Sequence, residues 1–177
     1  SSGTTYVFTD YLGKASTTWA GAMGAAPNKK PDWTKSSATQ LSGNGNDGVG
    51  NLVKNTPNSI GYVEIAYVKS LKLGSAAMKG HDGAFLKVST TGAAAAAASK
   101  ATGLPKPSGD WSAVSIVDAP GEAAYPISSM TYILVYDSLG AYGGKVSQDQ
   151  MDAFKAWMWW CLHDGQTYST ALGYAPL

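Results

Sequence analysis

Arginine is absent, and all thirteen basic residues are lysines. No planar guanidinium fork is available to clamp an anion, so any anion must be held by backbone amides, hydroxyls or single ammonium groups. Cysteine occurs once, at Cys161, which leaves no material for a disulfide framework or a thiolate metal cluster. The two histidines, His81 and His163, lie far apart. Neither has a metal-ligand partner at helical spacing, and both read as surface or helix-end residues. Charged residues make up only 14% of the chain, well below the usual quarter. The net charge of +1 gives no electrostatic footprint for nucleic acid or a membrane surface. No apolar run reaches the length of a membrane span.

What remains is a chain of 177 residues, 44% hydrophobic, enough for one ordinary domain or two small lobes. Its most informative segment is the start. Ser1-Ser2-Gly3-Thr4-Thr5 runs at once into the helical pattern Tyr6-Val7-Phe8-Thr9-Asp10-Tyr11-Leu12. The first amides of a helix have no internal partner, and the helix dipole adds partial positive charge there. Gly3 lets a ligand approach the backbone, and Ser2 and Thr4 each offer a hydroxyl donor. Together these make an anion cradle. On spacing alone, simple N-capping accounts for the same residues.

Along the chain, residues 4–14 read as a helix and Thr17-Thr18-Trp19 starts a second that stops near Gly24. Residues 25–45 are loop-like. A helix follows from Gly45 through Lys54, with Asn46 or Asp47 as cap and Val49, Leu52 and Val53 inward. Thr56-Pro57-Asn58-Ser59 is a turn, Ile60–Val63 a short buried strand, and Glu64–Leu71 helix again. Residues 76–79 and 83–88 form a hairpin. The alanine-rich stretch Thr91–Lys100 is a helix packed on a close neighbour, and Ala113–Val117 is a candidate strand. Ile127–Tyr136 carries the strongest strand signal, apolar on both faces. Ser147, with Gln150 three residues on, caps the last long helix through a capping box. Its inward stripe is Met151, Phe154, Met158, Cys161 and Leu162. Gln166–Leu172 adds a final helical turn or two. Alternating strands and helices point to an α/β layered fold.

Other eye-catching residues have plain readings. Cys161 is a buried inert thiol, and the tryptophans around it are core. Asp47 is a cap or dipole partner, Glu64 holds a helix entry, and Asp10 is a solvated mid-helix carboxylate. None has a partner for acid–base work, so no catalytic residue is expected.

Five segments in order resemble one family, the periplasmic phosphate-binding proteins of phosphate-specific ABC importers. They are Ser2–Leu12, Gly45-Asn46-Asp47-Gly48-Val49, Ser59–Tyr67, Tyr125-Pro126-Ile127-Ser128 with Tyr132-Ile133-Leu134, and Leu172–Leu177. The resemblance covers the whole chain but only about the C-terminal half of a family member. It implies a two-lobed α/β periplasmic binding protein fold of type II. Residues 1–123 would form most of the second lobe, and residues 124–177 would cross back to complete the first. In the family an Arg-x-Asp-x-Ser-Gly-Thr motif carries phosphate ligands. Ser2, Gly3 and Thr4 match its last three positions and Ser1 its variable one, while the Arg and Asp would precede residue 1. The resemblance implies that both ends are trimmed relative to the family and that an N-terminal portion completes the site.

By that likeness the ligand is inorganic phosphate, held without a metal or cofactor by the hydroxyl of Ser2, the amide of Gly3 and both groups of Thr4. The partners implied are the membrane permease of an ABC importer and the missing N-terminal portion, with an extracytoplasmic, periplasmic or cell-envelope location. Two alternatives stand beside it. One is a binder of another oxyanion such as sulfate. The other is a phosphatase-like enzyme, against which stand the lack of a Gly-x-x-x-x-Gly-Lys-Ser/Thr loop and of a general base beside Ser2.

Overall fold

The structure, a computed structural model, describes residues 2–177. They divide into two compact units, one running to Ser129 and the other spanning Met130–Leu177. Ser1, matched above to the variable position of the motif, lies outside the described residues.

In the first unit the helices start where a hydroxyl can cap them. Ser2 caps α1 (Gly3–Ala15), Ser16 caps α2 (Thr17–Met23), and Ser89 caps α5 (Thr90–Ala98), each accepting from an amide of the first turn. Such a cap contributes about 1 kcal/mol. Gly24 ends α2 at a φ of 94°, a conformation that costs glycine little. Between α2 and α5 lie α3 (Gly45–Asn55) and α4 (Ile65–Leu71). The cap of α3 is Asn44, not Asn46 or Asp47, and it makes no side-chain bond. Asn46 is used differently, because its Oδ1 accepts from the Glu64 amide at 3.1 Å and ties α3 to the start of α4. The expected hairpin is present as β1 (Met78–Lys79) paired antiparallel with β2 (Phe85–Leu86), Met78 opposite Leu86.

The tightest packed cluster of this unit is built from small residues, beside the buried Tyr11, Ile116 and Val117. Ala96, Ala119 and Ala124 are fully buried and cluster together. The tract of alanines on α5 is therefore a packing face. Gly92 on the same helix lies so close to Tyr125 that the Tyr125 amide donates to the Gly92 carbonyl at 3.0 Å.

Helix α1 is fastened to this frame at successive turns. Thr9 Oγ1 accepts from the Asn28 amide at 2.9 Å and lies 3.0 Å from the Asn28 carbonyl. The Tyr11 hydroxyl donates to the Lys79 carbonyl at 2.8 Å. Asp10, expected to be solvated, is buried instead. Its carboxylate takes Lys14 Nζ at 3.1 Å and the Ser115 hydroxyl at 2.9 Å, and Lys14 also donates to the Val117 carbonyl at 3.1 Å. Gly13 permits the closest approach of all, since a Cβ there would sit 2.2 Å from the Ala25 carbonyl oxygen.

Three expected strands are not formed. Residues 60–63 are extended without a ladder, and Ile60 is 93% exposed. Residues 113–117 bury Ile116 and Val117 but pass through a turn instead of joining a sheet. Residues 127–136 also form no strand. A strand needs a neighbour for its ladder, and among the described residues only β1 and β2 pair.

The second unit holds α6 (Gln148–Leu162) and α7 (Ser169–Leu172), joined by a 3-10 segment, Asp164–Tyr168. The capping box on α6 forms as expected, with Ser147 Oγ accepting from the Gln150 amide and the Gln150 side chain accepting from the Ser147 amide. The reading of its tryptophans as core is corrected. Trp157, Trp159 and Trp160 are all exposed, Trp159 by 65%. The stripe Met151, Phe154, Met158 and Cys161 is only half-buried, and Leu162 is exposed. A 15-residue helix with apolar side chains around so much of its circumference is of the kind usually enclosed on several sides.

Burial sets an alkaline limit on the first unit. Desolvation raises the Tyr11 hydroxyl above its ordinary value of 10.0, helped by the nearby Asp118 charge, and desolvation likewise raises Tyr125. A raised folded value means that the native state keeps its proton longer than the unfolded one. The stabilisation is complete below about pH 10 and is lost as pH climbs through the folded values. Thermal midpoints should therefore fall above pH 10, and Tyr125→Phe should flatten that fall. An unchanged slope in Tyr125→Phe would show that this hydroxyl is not shielded.

Candidate functional site

The expected site residues sit together at the start of α1. Ser2 is the N-cap, with extended backbone, and Gly3 and Thr4 are the first two helical residues. Ser2 and Gly3 are exposed, Thr4 is half-buried and Thr5 is buried. The space over Gly3 is open, with no atom within 4 Å of where a Cβ would stand.

The amides divide by role. Tyr6 N–H begins the helical ladder by donating to the Ser2 carbonyl at 3.2 Å. Thr5 N–H donates to Ser2 Oγ at 3.0 Å. The amides of Gly3 and Thr4 have no carbonyl of their own helix to reach. They are neutral donors at the positive end of the helix dipole, a setting suited to an anion. The capping reading and the anion reading are compatible, because the cap uses a lone pair of Ser2 Oγ and not its proton.

Two residues missed by the sequence reading stand behind this cradle. The Thr5 hydroxyl is 2.9 Å from Ser2 Oγ and 2.9 Å from the Tyr62 hydroxyl. Tyr62 lies flat on Phe8, one turn along α1 from Thr5, with ring centroids 4.4 Å apart and planes at 18°. Tyr62 was legible as an apolar position in an expected strand and as part of the Ser59–Tyr67 segment of the resemblance, neither of which points to Thr5. Its neighbour Gly61 packs closely on α3, where a Cβ would come 2.7 Å from Val53 Cγ2. A backbone held that close marks a segment placed with care.

Other groups do not gather here. Asp10 is committed to Lys14 and Ser115. Asp47 pairs with Asn51 on its own helix. Glu64 is exposed at the entry to α4, where it makes no capping bond. His81 pairs with Asp118 at 3.3 Å, and His163 ends α6 stacked on Trp159. An open hollow of about 490 Å³ in the second unit is lined by Trp160, Gly165, Tyr168, Ala171 and Leu172. Its lining is mostly apolar and holds no charged side chain.

A chain with a Ser-Gly-Thr helix start can be set beside known proteins. The model of the PBP superfamily domain, the domain of periplasmic binding proteins, matches residues 1–164. The chain belongs to that superfamily. Its fold is accordingly a periplasmic binding protein fold. Among curated proteins it is 34% identical over 168 residues to the phosphate-binding protein PstS of Methanocaldococcus jannaschii, covering 93% of this chain and 42% of that protein. It is 32% identical over 181 residues to the phosphate-binding protein PstS of Xylella fastidiosa strain Temecula1, covering 99% of this chain and 44% of that protein. The counterpart from Pasteurella multocida is 31% identical over 180 residues, covering 99% and 46%. The chain thus spans less than half the length of the curated relatives it matches.

Proposed function

We propose that this chain is the anion-gripping part of an extracytoplasmic solute-binding protein, one that captures inorganic phosphate between two lobes and hands it to the permease of an ABC importer. The observation that carries the reading is the start of α1. Ser2, Gly3 and Thr4 present two amides and two hydroxyls at a helix N-terminus in a chain whose relatives are named phosphate-binding proteins. Ser2 donates through its hydroxyl, Gly3 through its amide and Thr4 through both. Bonds of this charge-assisted kind contribute about 1.5–3 kcal/mol each. The work in this reading is binding without a cofactor, and the hydrogen bonds of Ser2 Oγ run to Thr5.

In this reading residues 1–123 belong to one lobe and residues 124–177 lead back to the other, which an upstream portion of the intact protein completes, with residues 124–129 still packed on the first unit through Ala124 and the Tyr125–Gly92 bond. The second unit supports that division of labour. The apolar run Tyr132–Tyr136 and the tryptophans of α6 are exposed, although both have the composition of enclosed elements. The same upstream portion would bring the remaining ligands, among them the acidic acceptor that distinguishes a protonated phosphate from sulfate. A buried acceptor left unmet costs about 1–3 kcal/mol.

The test is a chimera. The matched segment of the Xylella fastidiosa protein is replaced by these 177 residues, and phosphate and sulfate are titrated calorimetrically. The chain alone should bind phosphate only in about the millimolar range, where a few bonds barely offset the cost of association, and should scarcely prefer it to sulfate. The chimera should bind phosphate at least a hundredfold more tightly and reject sulfate. A folded chimera that ignores phosphate contradicts the reading.

A further inference from the structure

Resting on that reading of the site, we infer that Tyr62 is a positioning residue for the anion, acting through Thr5 to turn the Ser2 hydroxyl into a group that can only donate. The direction of three hydrogen bonds decides what the Ser2 hydroxyl can do. Ser2 Oγ has two lone pairs and one proton. One lone pair is taken by the Thr5 amide at 3.0 Å. The Thr5 hydroxyl, 2.9 Å away, either fills the second lone pair or competes for the proton. Tyr62 decides between these. A phenol is a better donor and a poorer acceptor than an aliphatic alcohol, so at 2.9 Å the Tyr62 hydroxyl donates to Thr5 Oγ1. Thr5 then turns its own proton on Ser2 Oγ. Both acceptor sites of Ser2 are occupied, and its proton is left for the ligand.

The surroundings hold this relay in place. Thr5 is 8% exposed, so water competes poorly for its hydroxyl. The Tyr62 ring is fixed by its stack on Phe8, and Trp33 closes in with a centroid at 6.3 Å. Successive donors in such a chain polarise one another. The chemical consequence is a choice among the oxygens of the ligand. A donor-only hydroxyl accepts no proton, so the oxygen facing Ser2 is an unprotonated one, and any P–OH of hydrogen phosphate must point elsewhere.

Tyr62→Phe removes the phenolic oxygen and keeps the stacked ring. Thr5 Oγ1 then becomes free to accept from Ser2, and an anion must compete for that proton. Phosphate affinity of the 177-residue chain should fall about three- to tenfold, the worth of one neutral hydrogen bond and a hydroxyl rotor, with the thermal midpoint nearly unchanged. Ser2→Ala should weaken binding more, and adding Tyr62→Phe to Ser2→Ala should weaken it no further. Thr5→Val removes the competing acceptor together with the donor and should weaken binding less than Tyr62→Phe does, and Thr5→Ser should retain the parent affinity. Full additivity of Tyr62→Phe and Ser2→Ala, or no effect of Tyr62→Phe where Ser2→Ala weakens binding, overturns the relay and leaves the site standing. If Ser2→Ala itself leaves phosphate binding intact, the site is wrong and the relay falls with it.

Discussion

Lys14→Met should destabilise the first unit by about 2–4 kcal/mol, read as a lower midpoint in urea unfolding. The methionine can follow the path of the lysine stem, so the packing loss is small and the effect is electrostatic. Asp10 is the buried partner: its side chain is 10% exposed, against 39% for Lys14. Without the ammonium, the carboxylate keeps the Ser115 hydroxyl at 2.9 Å and little else to replace its water. Breaking a fully buried pair costs about 3–5 kcal/mol, and the partial exposure of Lys14 scales that down. The double variant Asp10→Leu with Lys14→Met should recover part of the loss, because a charge removed with its partner leaves nothing stranded. If Lys14→Met unfolds at the wild-type midpoint, the clip does not hold α1. The clip matters to function because the cradle is the end of α1, and a ligand set is only as well positioned as the element that carries it.

Gly3→Asp should abolish phosphate binding while leaving the fold intact or slightly firmer. The new side chain meets open space, and a carboxylate in the first turn favours the helix by about 0.3–1 kcal/mol. The same charge lies on the donors proposed to hold phosphate. At about 5 Å and an effective dielectric constant near 20, each unit charge on the ligand is repelled by roughly 3 kcal/mol, more than a hundredfold in affinity. Gly3→Ala, which adds a methyl without charge where the ligand approaches the backbone, should weaken binding far less than Gly3→Asp does. Equal phosphate binding by Gly3→Asp would place the anion elsewhere. Thermal unfolding of the same samples separates a lost site from a lost fold.

Helix starts were the most legible part of the fold, because a hydroxyl followed by a periodic apolar run states its own geometry. Ser2 and Ser147 cap as their spacing implies, whereas α3 is capped at Asn44 and not at the expected Asn46 or Asp47. The hairpin at Met78–Leu86 was legible for the same local reason: Lys79-Gly80-His81-Asp82-Gly83 provides the turn. Strands at 60–63, 113–117 and 127–136 were not, because apolar composition states a preference for enclosure and not the neighbour that satisfies it. Asp10 was misread because its burial comes from Ser115, more than a hundred residues along the chain. In the candidate site, Ser2, Gly3 and Thr4 could be chosen from the sequence because they are contiguous. Tyr62 reaches Thr5 from a distant segment, and no local pattern announces that.

The central claim is that the first turn of α1 holds the anion. Backbone amide shifts of the 15N-labelled 177-residue chain during addition of phosphate test it most directly, since amides report a bound anion even when binding is weak. The account predicts saturable shifts concentrated on Gly3, Thr4 and Thr5, lost in Gly3→Asp and reproduced at similar concentrations by sulfate. Saturable shifts confined to other segments, or a first turn that stays silent while phosphate binds, would contradict it.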